Sequence, residues 1–122
     1  MKITVKAANL DLTPALNRYL EEKIGSLSKF LKNYEIEGEI QVRVEVGRTT
    51  RHHHQGNVFR AEANLILPKK VLRGAAEKED IRTAIDEVKS ELQREIKKYN
   101  QKSKIQDDKK SYRQILKRKG EI

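Results

Sequence analysis

Cations accumulate where a helical pattern in the sequence runs out. The segment REIKKYNQKSK, residues 94–104, holds five of them in eleven positions. At about 100° per residue, one flank of the helix's apolar stripe carries Arg82, Lys89, Lys97 and Lys104, while Arg94 and Lys98 fall near its outer face. Cations presented on one side of a helix can contact the phosphates of a nucleic acid, so phosphate binding is the first chemistry to consider.

The opposite flank of the stripe holds three acids of the same helix, Glu87, Glu91 and Glu95. A second interpretation therefore stays open, in which the helix is an ordinary solvated face supported by ion pairs such as Glu91 with Lys98 or Asp86 with Lys89. The helix dipole favours cations in the last turn, which accounts for part of the accumulation. It does not account for the basic segment that follows.

Three consecutive histidines, His52, His53 and His54, form a second candidate site. Adjacent residues of an extended chain point to opposite sides, so only His52 and His54 could share a metal ion, and no further ligand follows at a suitable spacing. We predict no metal and no cofactor. The segment is either a polar hairpin loop or a cationic loop that contacts phosphate with the help of Arg48 and Arg51.

Signatures of catalysis are missing from the sequence. It contains no glycine-rich phosphate loop, no GxSxG motif and no cysteine that could act as a nucleophile or zinc ligand. Asp107 and Asp108 are adjacent carboxylates, but they fall in the basic C-terminal segment, where nothing would hold them in catalytic geometry. We therefore expect a protein that is not an enzyme.

Composition favours a small basic domain. The 122 residues include 27 Lys and Arg against 18 Asp and Glu, for a formal charge of +9, and such a field attracts polyanions. Nucleic acid or an anionic membrane surface would be a suitable partner. No apolar run approaches the roughly 20 residues that cross a bilayer, and no signal-peptide core is present, so a cytoplasmic location without membrane insertion is expected.

Hydrophobic periodicity predicts the elements that position these residues. Alternation with period two predicts four strands, in KITVKA, EIQVRVEV, NVFRAEANLIL and VLRGAA. Helical spacing predicts two amphipathic helices, in LTPALNRYLEEKIGSLSKFLK and IRTAIDEVKSELQREIKKY, with Thr13 and Asp80 as N-caps. The order predicts an α+β fold in which both helices pack on one face of a four-stranded sheet. We predict that residues 1–102 form this domain and that residues 103–122 form a flexible basic tail.

Two stretches carry a family resemblance: DLTPALNRYLEEKIGSLSKFL, and VFRAEANLILPKKVLRGAAEKEDIRTAIDEVKSELQREIKKYNQK. The chain resembles, over about residues 1–102, the ribosome hibernation promoting factor and ribosome-associated translation inhibitor family, also labelled sigma-54 modulation proteins. The resemblance implies a βαβββα fold similar to double-stranded RNA-binding domains. It also implies binding in the decoding channel of the small ribosomal subunit, over the messenger and tRNA anticodon sites of idle ribosomes.

The implied partners are the 30S subunit, the 70S ribosome and 16S rRNA, with the protein a monomer off the ribosome. The resemblance places rRNA-contacting cations at Arg94, Lys98 and Lys102 and at Lys23 and Lys29 of the first helix. The helical wheel adds Lys89 and Lys97. The predicted rRNA-binding set is therefore Lys23, Lys29, Lys89, Arg94, Lys97, Lys98 and Lys102.

The sequence departs from the family pattern at three positions. Glu91 and Ser26 stand where the family is often basic, and Arg82 replaces a usual aromatic residue. Long members carry a C-terminal dimerisation domain that joins two ribosomes, and this chain is expected to be a short form that does not pair ribosomes in that way. Its basic tail is predicted to follow the messenger path.

Two alternative functions remain open at this point. One is a protein-interaction regulator of transcription, as the sigma-54 label suggests. The other is a metal-dependent hydrolase that uses the histidine run. RNA binding that weakens steeply with salt would distinguish the ribosome factor from the transcription regulator.

Overall fold

The computed structural model describes the backbone of residues 1–49 and 58–119 and the side chains of residues 1–49 and 58–102. The histidine run and its predicted loop lie outside the described residues. The elements in chain order are β1 Lys2–Ala8, α1 Pro14–Gly25, a 3₁₀ turn Ser26–Phe30, α2 Lys32–Glu35, β2 Gln41–Thr49, β3 Val58–Ile66, β4 Val71–Lys78 and α3 Ile81–Lys119. The predicted α+β, βαβββα order is confirmed, with α2 as a short addition.

The four strands form one sheet in the order β1-β2-β3-β4. β1 pairs parallel to β2, and the other two neighbouring pairs are antiparallel. Parallel pairing requires a crossover connection, which α1, the 3₁₀ turn and α2 provide. At Gly47 of β2 an added Cβ would lie 2.8 Å from the Ala8 carbonyl oxygen, so the close approach of β1 requires glycine there.

One face of the sheet is buried against the helices, as predicted. Val42, Val44 and Val46 of β2 belong to a single buried cluster, together with Ala61, Ala63 and Leu65 of β3 and the apolar stripes of α1 and α3. The alternate positions point away from the helices, because successive side chains of a strand face opposite sides. The sheet therefore has one buried face and one open face.

The first predicted helix is divided in the structure. Thr13 caps α1 by accepting a hydrogen bond from the Leu16 N–H (3.1 Å), as predicted. The hydroxyl of Ser26 donates to the Lys23 carbonyl (2.6 Å), and serine bonds of this kind disturb a regular helix. The chain continues as a 3₁₀ turn, yet the predicted stripe stays buried throughout, and its members are Leu16, Leu20, Ile24, Leu27 and Leu31.

The second predicted helix is longer than its apolar stripe. Asp80 caps α3 by accepting from the Thr83 N–H (3.2 Å), as predicted. The stripe ends at about Tyr99, but α3 continues to Lys119. Residues 100–119 contain no Gly or Pro and are rich in Lys, Gln and Arg, so intrinsic propensity favours continuation. The domain boundary at residue 102 and the flexibility of the tail stay predictions.

Candidate nucleic-acid interface

α3 lies on the buried face of the sheet beside the first helical segment, which comprises α1, the 3₁₀ turn and α2. Tyr19 of α1 contacts Asp86 near the start of α3. Further along, Tyr34 of α2 donates a hydrogen bond to the Asn100 side chain, and its ring packs on Tyr99 with centroids 5.7 Å apart. From the first contact to the second, the residue numbers rise in both segments, so the two segments run parallel. We call the surface along this junction the helical seam, defined by Tyr19, Phe30 and Tyr34 with the adjoining side of α3.

The two flanks of α3 face different neighbours. On the acidic flank, Glu87 pairs with Lys78 at the end of β4 (2.9 Å), and the Glu91 carboxylate accepts from the Ala75 N–H of β4 (2.9 Å). Both acids therefore attach the helix to the sheet edge. The basic flank faces the seam instead.

Close packing at Gly74 explains why Glu91 reaches the strand. A Cβ added at Gly74 would lie 3.1 Å from the Val88 carbonyl oxygen and 3.4 Å from the Glu91 Cβ, so α3 and β4 are near contact there. The departure from the family pattern at Glu91 thus has a structural role, since the side chain satisfies a backbone donor of an edge strand.

The exposed cations of α3 are not neutralised by neighbours. Arg94, Lys97, Lys98 and Lys102 are exposed, and within residues 1–49 and 58–102 none of them has an acidic partner within ion-pair distance. Three of these cations, Arg94, Lys97 and Lys98, line a shallow concave surface together with Glu95 and Gln101. We call Arg94, Lys97, Lys98 and Lys102 the α3 cation patch.

The two ion pairs that would support an ordinary solvated helix, Asp86 with Lys89 and Glu91 with Lys98, are not formed, because both acids bond to other groups. Asp86 contacts Lys23 (3.6 Å) and Tyr19 (2.6 Å), and neither of these contacts involves Lys89. Glu91 bonds to the β4 backbone and not to Lys98. Lys89 is half-buried on the basic flank and has no ion pair with a described residue. The charge of the basic flank is therefore unpaired within the part of the chain that is described.

The two predicted cations of the first helical segment have different surroundings. Lys23 lies 5.6 Å from the Tyr19 ring centroid and is paired with Asp86. Lys29 is exposed and lies 5.2 Å from the Phe30 ring centroid, and Lys97 of α3 lies 6.0 Å from the same centroid. The fold thus brings Lys29 and Lys97 together, whereas Lys23 is joined to α3 through a carboxylate.

Arg82 joins the seam at its other end, although the predicted binding set omits it. Its guanidinium lies 4.9 Å from the Tyr19 ring centroid and has no ion pair within the described ranges. The cation that stands in place of a usual aromatic residue therefore packs on an aromatic ring of the neighbouring helix. The sequence did indicate a role for Arg82, because the helical wheel puts it on the basic flank of α3. It did not indicate that this flank would pack against Tyr19.

Tyr19 is held as a neutral hydrogen-bond donor. Its hydroxyl donates to Asp86 at 2.6 Å, and this bond together with burial raises the pKa of Tyr19 to about 12. The phenol therefore stays protonated throughout the physiological range, and it ties α1 to the first turns of α3.

We expect Tyr19→Phe to lower the free energy of unfolding by about 1 kcal/mol near neutral pH. The folded pKa of about 12 exceeds the ordinary value of 10.0, so this contribution is fully present below pH 10 and is lost as pH rises toward 12. Urea unfolding across this range checks it: the difference between wild type and variant should shrink above pH 10. A difference that does not change with pH would contradict the assignment.

The open face of the sheet has a different charge arrangement. Arg60 bonds to Glu62 (3.1 Å) and Glu77 (3.2 Å), and Arg73 bonds to Glu62 (2.9 Å). The hydrogen bond from Arg60 is the main cause that lowers the pKa of Glu62. Arg43 is exposed on this face and has no ion pair among the residues described. Two cations of the open face, Arg60 and Arg73, are therefore paired with acids. Lys2 and Lys6 of β1 are exposed on the same face and, like Arg43, have no ion pair among the described residues, so unpaired positive charge is present on this face as well as along the seam and the α3 cation patch.

The described residues contain no group of three or more His, Cys, Asp and Glu residues that could hold a metal ion. No helix among them is long and apolar enough to span a membrane.

Comparisons with known proteins agree with this architecture. The family described as Sigma 54 modulation protein / S30EA ribosomal protein matches residues 3–104. The ribosome hibernation promotion factor of Lactococcus lactis is 28% identical over 102 residues, covering 81% of this chain and 49% of the relative. That of Bacillus subtilis is 24% identical over 102 residues, covering 84% of this chain and 50% of the relative. The chain thus spans about half the length of these curated relatives.

Solved structures share the fold. The N-terminal domain of Thermus thermophilus protein Y superposes with a TM-score of 0.67 at 26% identity, covering 81% of this chain and 99% of that domain. A ribosomal subunit interface protein from Coxiella burnetii gives a TM-score of 0.66 at 20% identity, covering 82% of this chain and 98% of that protein. The second likeness, at its lower identity, supports the fold alone.

Proposed function

Because the chain belongs to the Sigma 54 modulation protein / S30EA ribosomal protein family, we propose that it is a ribosome hibernation factor. It binds the 30S subunit and the 70S ribosome through 16S rRNA, occupies the decoding channel and blocks messenger and tRNA binding in idle ribosomes. It acts in the cytoplasm, without catalysis and without a cofactor, and it is a monomer off the ribosome. The names of its relatives support the ribosomal role.

The observation that carries the proposal is the α3 cation patch. Its four side chains are exposed on one helix, and no described carboxylate lies within ion-pair distance of them. Cations that are not neutralised in the free protein can displace counterions from phosphates, and the resulting affinity falls steeply as salt rises. A formal charge of +9 speeds the encounter with an RNA surface of opposite sign.

The test is co-sedimentation of the purified protein with 30S and 70S particles at near-physiological salt. We expect stoichiometric binding to both, and competition by a messenger fragment together with initiator tRNA, because all three would occupy the same channel. Binding that ignores messenger and tRNA would place the contact outside the decoding channel. Protein that stays at the top of the gradient would overturn the ribosomal role and favour a protein partner, as in a regulator of transcription.

Deletion of residues 103–122 is expected to weaken 30S binding about tenfold at low salt and less at high salt, because the segment carries seven cations against three acids. Fluorescence anisotropy with labelled protein over a KCl series measures this. The domain that remains contains every core residue identified among the described side chains, so we expect its unfolding midpoint to be unchanged. Unaltered affinity at every salt concentration would contradict a role for the tail along the messenger path.

A further inference from the structure

Phe30 lies in the helical seam between predicted rRNA-binding cations but is not itself a member of the predicted set. Its ring is partly buried against the core cluster, and two ammonium groups lie beside it. One belongs to Lys29, its neighbour in the 3₁₀ turn, at 5.2 Å from the ring centroid, and the other to Lys97 of α3, at 6.0 Å. Two cations from different elements thus converge on one aromatic ring.

Like charges repel, and attraction to a common neighbouring group would offset that repulsion. A carboxylate would supply it, but neither lysine has an acidic partner within ion-pair distance in the described parts of the chain. The face of an aromatic ring attracts cations through its quadrupole within about 6 Å of the centroid. Because the ring carries no net charge, both ammonium groups keep their full positive charge toward solvent.

The Tyr19 end of the seam provides an internal comparison. There too a ring lies beside two cations from different helices, Lys23 at 5.6 Å and Arg82 at 4.9 Å. Asp86 lies within that group and pairs with Lys23 at 3.6 Å. The charge at that end is therefore partly neutralised, whereas the charge beside Phe30 is not.

We propose that Phe30 is a positioning residue that holds Lys29 and Lys97 as a paired contact for neighbouring phosphates of one RNA backbone segment. The inference rests on the proposed function, and it adds a residue that contributes to RNA affinity without itself touching RNA. Pre-ordering two long side chains lowers the conformational entropy that binding would otherwise cost. Because both ammonium groups lie within about 6 Å of one ring centroid, we expect them to reach two phosphates that are neighbours on one strand.

The experiment is a mutant cycle read by anisotropy on 30S subunits over a KCl series. Lys29→Ala with Lys97→Ala should reduce the slope of log affinity against log salt by about 2, one for each lost phosphate contact. Phe30→Met keeps an apolar side chain of adaptable shape but removes the ring, and it should weaken binding about fivefold. Phe30→Tyr keeps the ring and should bind as wild type does.

The decisive readout is the effect of Phe30→Met in the Lys29→Ala/Lys97→Ala background. With no cations left to position, we expect the fivefold loss to disappear. A merely structural role for Phe30 would instead reduce affinity equally in both backgrounds, and that result would overturn the inference. Equal salt slopes for wild type and the double lysine variant would overturn it as well.

Matched controls separate this inference from the proposed function. Lys70→Ala removes the same charge at an exposed turn away from the seam and should leave binding within about twofold of wild type. Lys23→Ala should cost less than Lys97→Ala, because Asp86 already pairs with Lys23. Normal 30S binding by the Phe30→Met protein would refute the positioning role and leave the ribosomal role intact. Absence of 30S binding by wild type would refute both.

Discussion

Arg94→Glu combined with Lys98→Glu should weaken binding to the 30S subunit at least about a hundredfold, because each reversal removes a phosphate contact and adds a repulsive charge. Both side chains are exposed and have no ion pair with a described residue, so the substitutions break no ion pair within that part of the chain. The unfolding midpoint should therefore stay close to that of wild type. Co-sedimentation and anisotropy at near-physiological salt measure the loss.

The matched control for this variant is Lys69→Glu combined with Lys70→Glu. It changes the net charge by the same amount, at the exposed turn between β3 and β4. A small loss in the control beside a large loss in the α3 variant would locate the contact on α3. Equal losses would show that overall charge alone governs binding, and an unchanged α3 variant would exclude the outer face of this helix as the contact surface.

Leu92→Ala should lower the free energy of unfolding by about 2–5 kcal/mol. Leu92 is 0% exposed at the centre of the α3 stripe, so the truncation leaves a cavity between helix and sheet. Losses of this size are a large fraction of the total stability of a small domain. Urea denaturation followed by circular dichroism measures the change.

Gln93→Ala is the control for the core truncation. Gln93 is the next residue of α3, is only half-buried and lies outside the buried cluster, so its loss should change stability by less than about 0.5 kcal/mol. If both variants unfolded at the same urea concentration, α3 would not be packed on the sheet as described. Leu92→Ala should also weaken 30S binding indirectly, because a larger fraction of the protein molecules would be unfolded.

The seam and the α3 cation patch contribute differently to the proposed RNA-binding surface. The patch supplies exposed charge on a single helix, while the seam joins two helical segments through rings and hydrogen bonds. Tyr19 ties the segments through Asp86, and Tyr34 ties them through Asn100. These contacts fix the two halves of the cationic surface relative to one another. Fixed spacing between cations matters for RNA, because duplex RNA is recognised mainly through backbone position and shape.

Periodicity in the sequence was sufficient to identify all four strands and both helices. Alternation at Val42, Val44 and Val46 and the stripe from Leu16 to Leu31 indicated buried positions that the structure confirms. Such patterns are reliable because a strand or helix must bury one face whatever it packs against. The separation of Glu87 and Glu91 from Lys89 and Lys97 onto two flanks of α3 was also visible, since helix geometry alone decides which residues share a side.

Which groups those two flanks of α3 contact depends on how distant parts of the chain pack together. Glu87 and Glu91 attach to β4, while Lys97 reaches the ring of Phe30 in a segment more than sixty residues away in the chain. The parallel pairing of β1 with β2 and the division of the first helix after Gly25 were likewise undetermined by local patterns. These features depend on contacts between distant residues, and the periodicity of one element carries no information about its neighbour. Local patterns in the sequence thus specify which surfaces are charged, whereas packing specifies which of the described charges lack an ion-pair partner and where they come together.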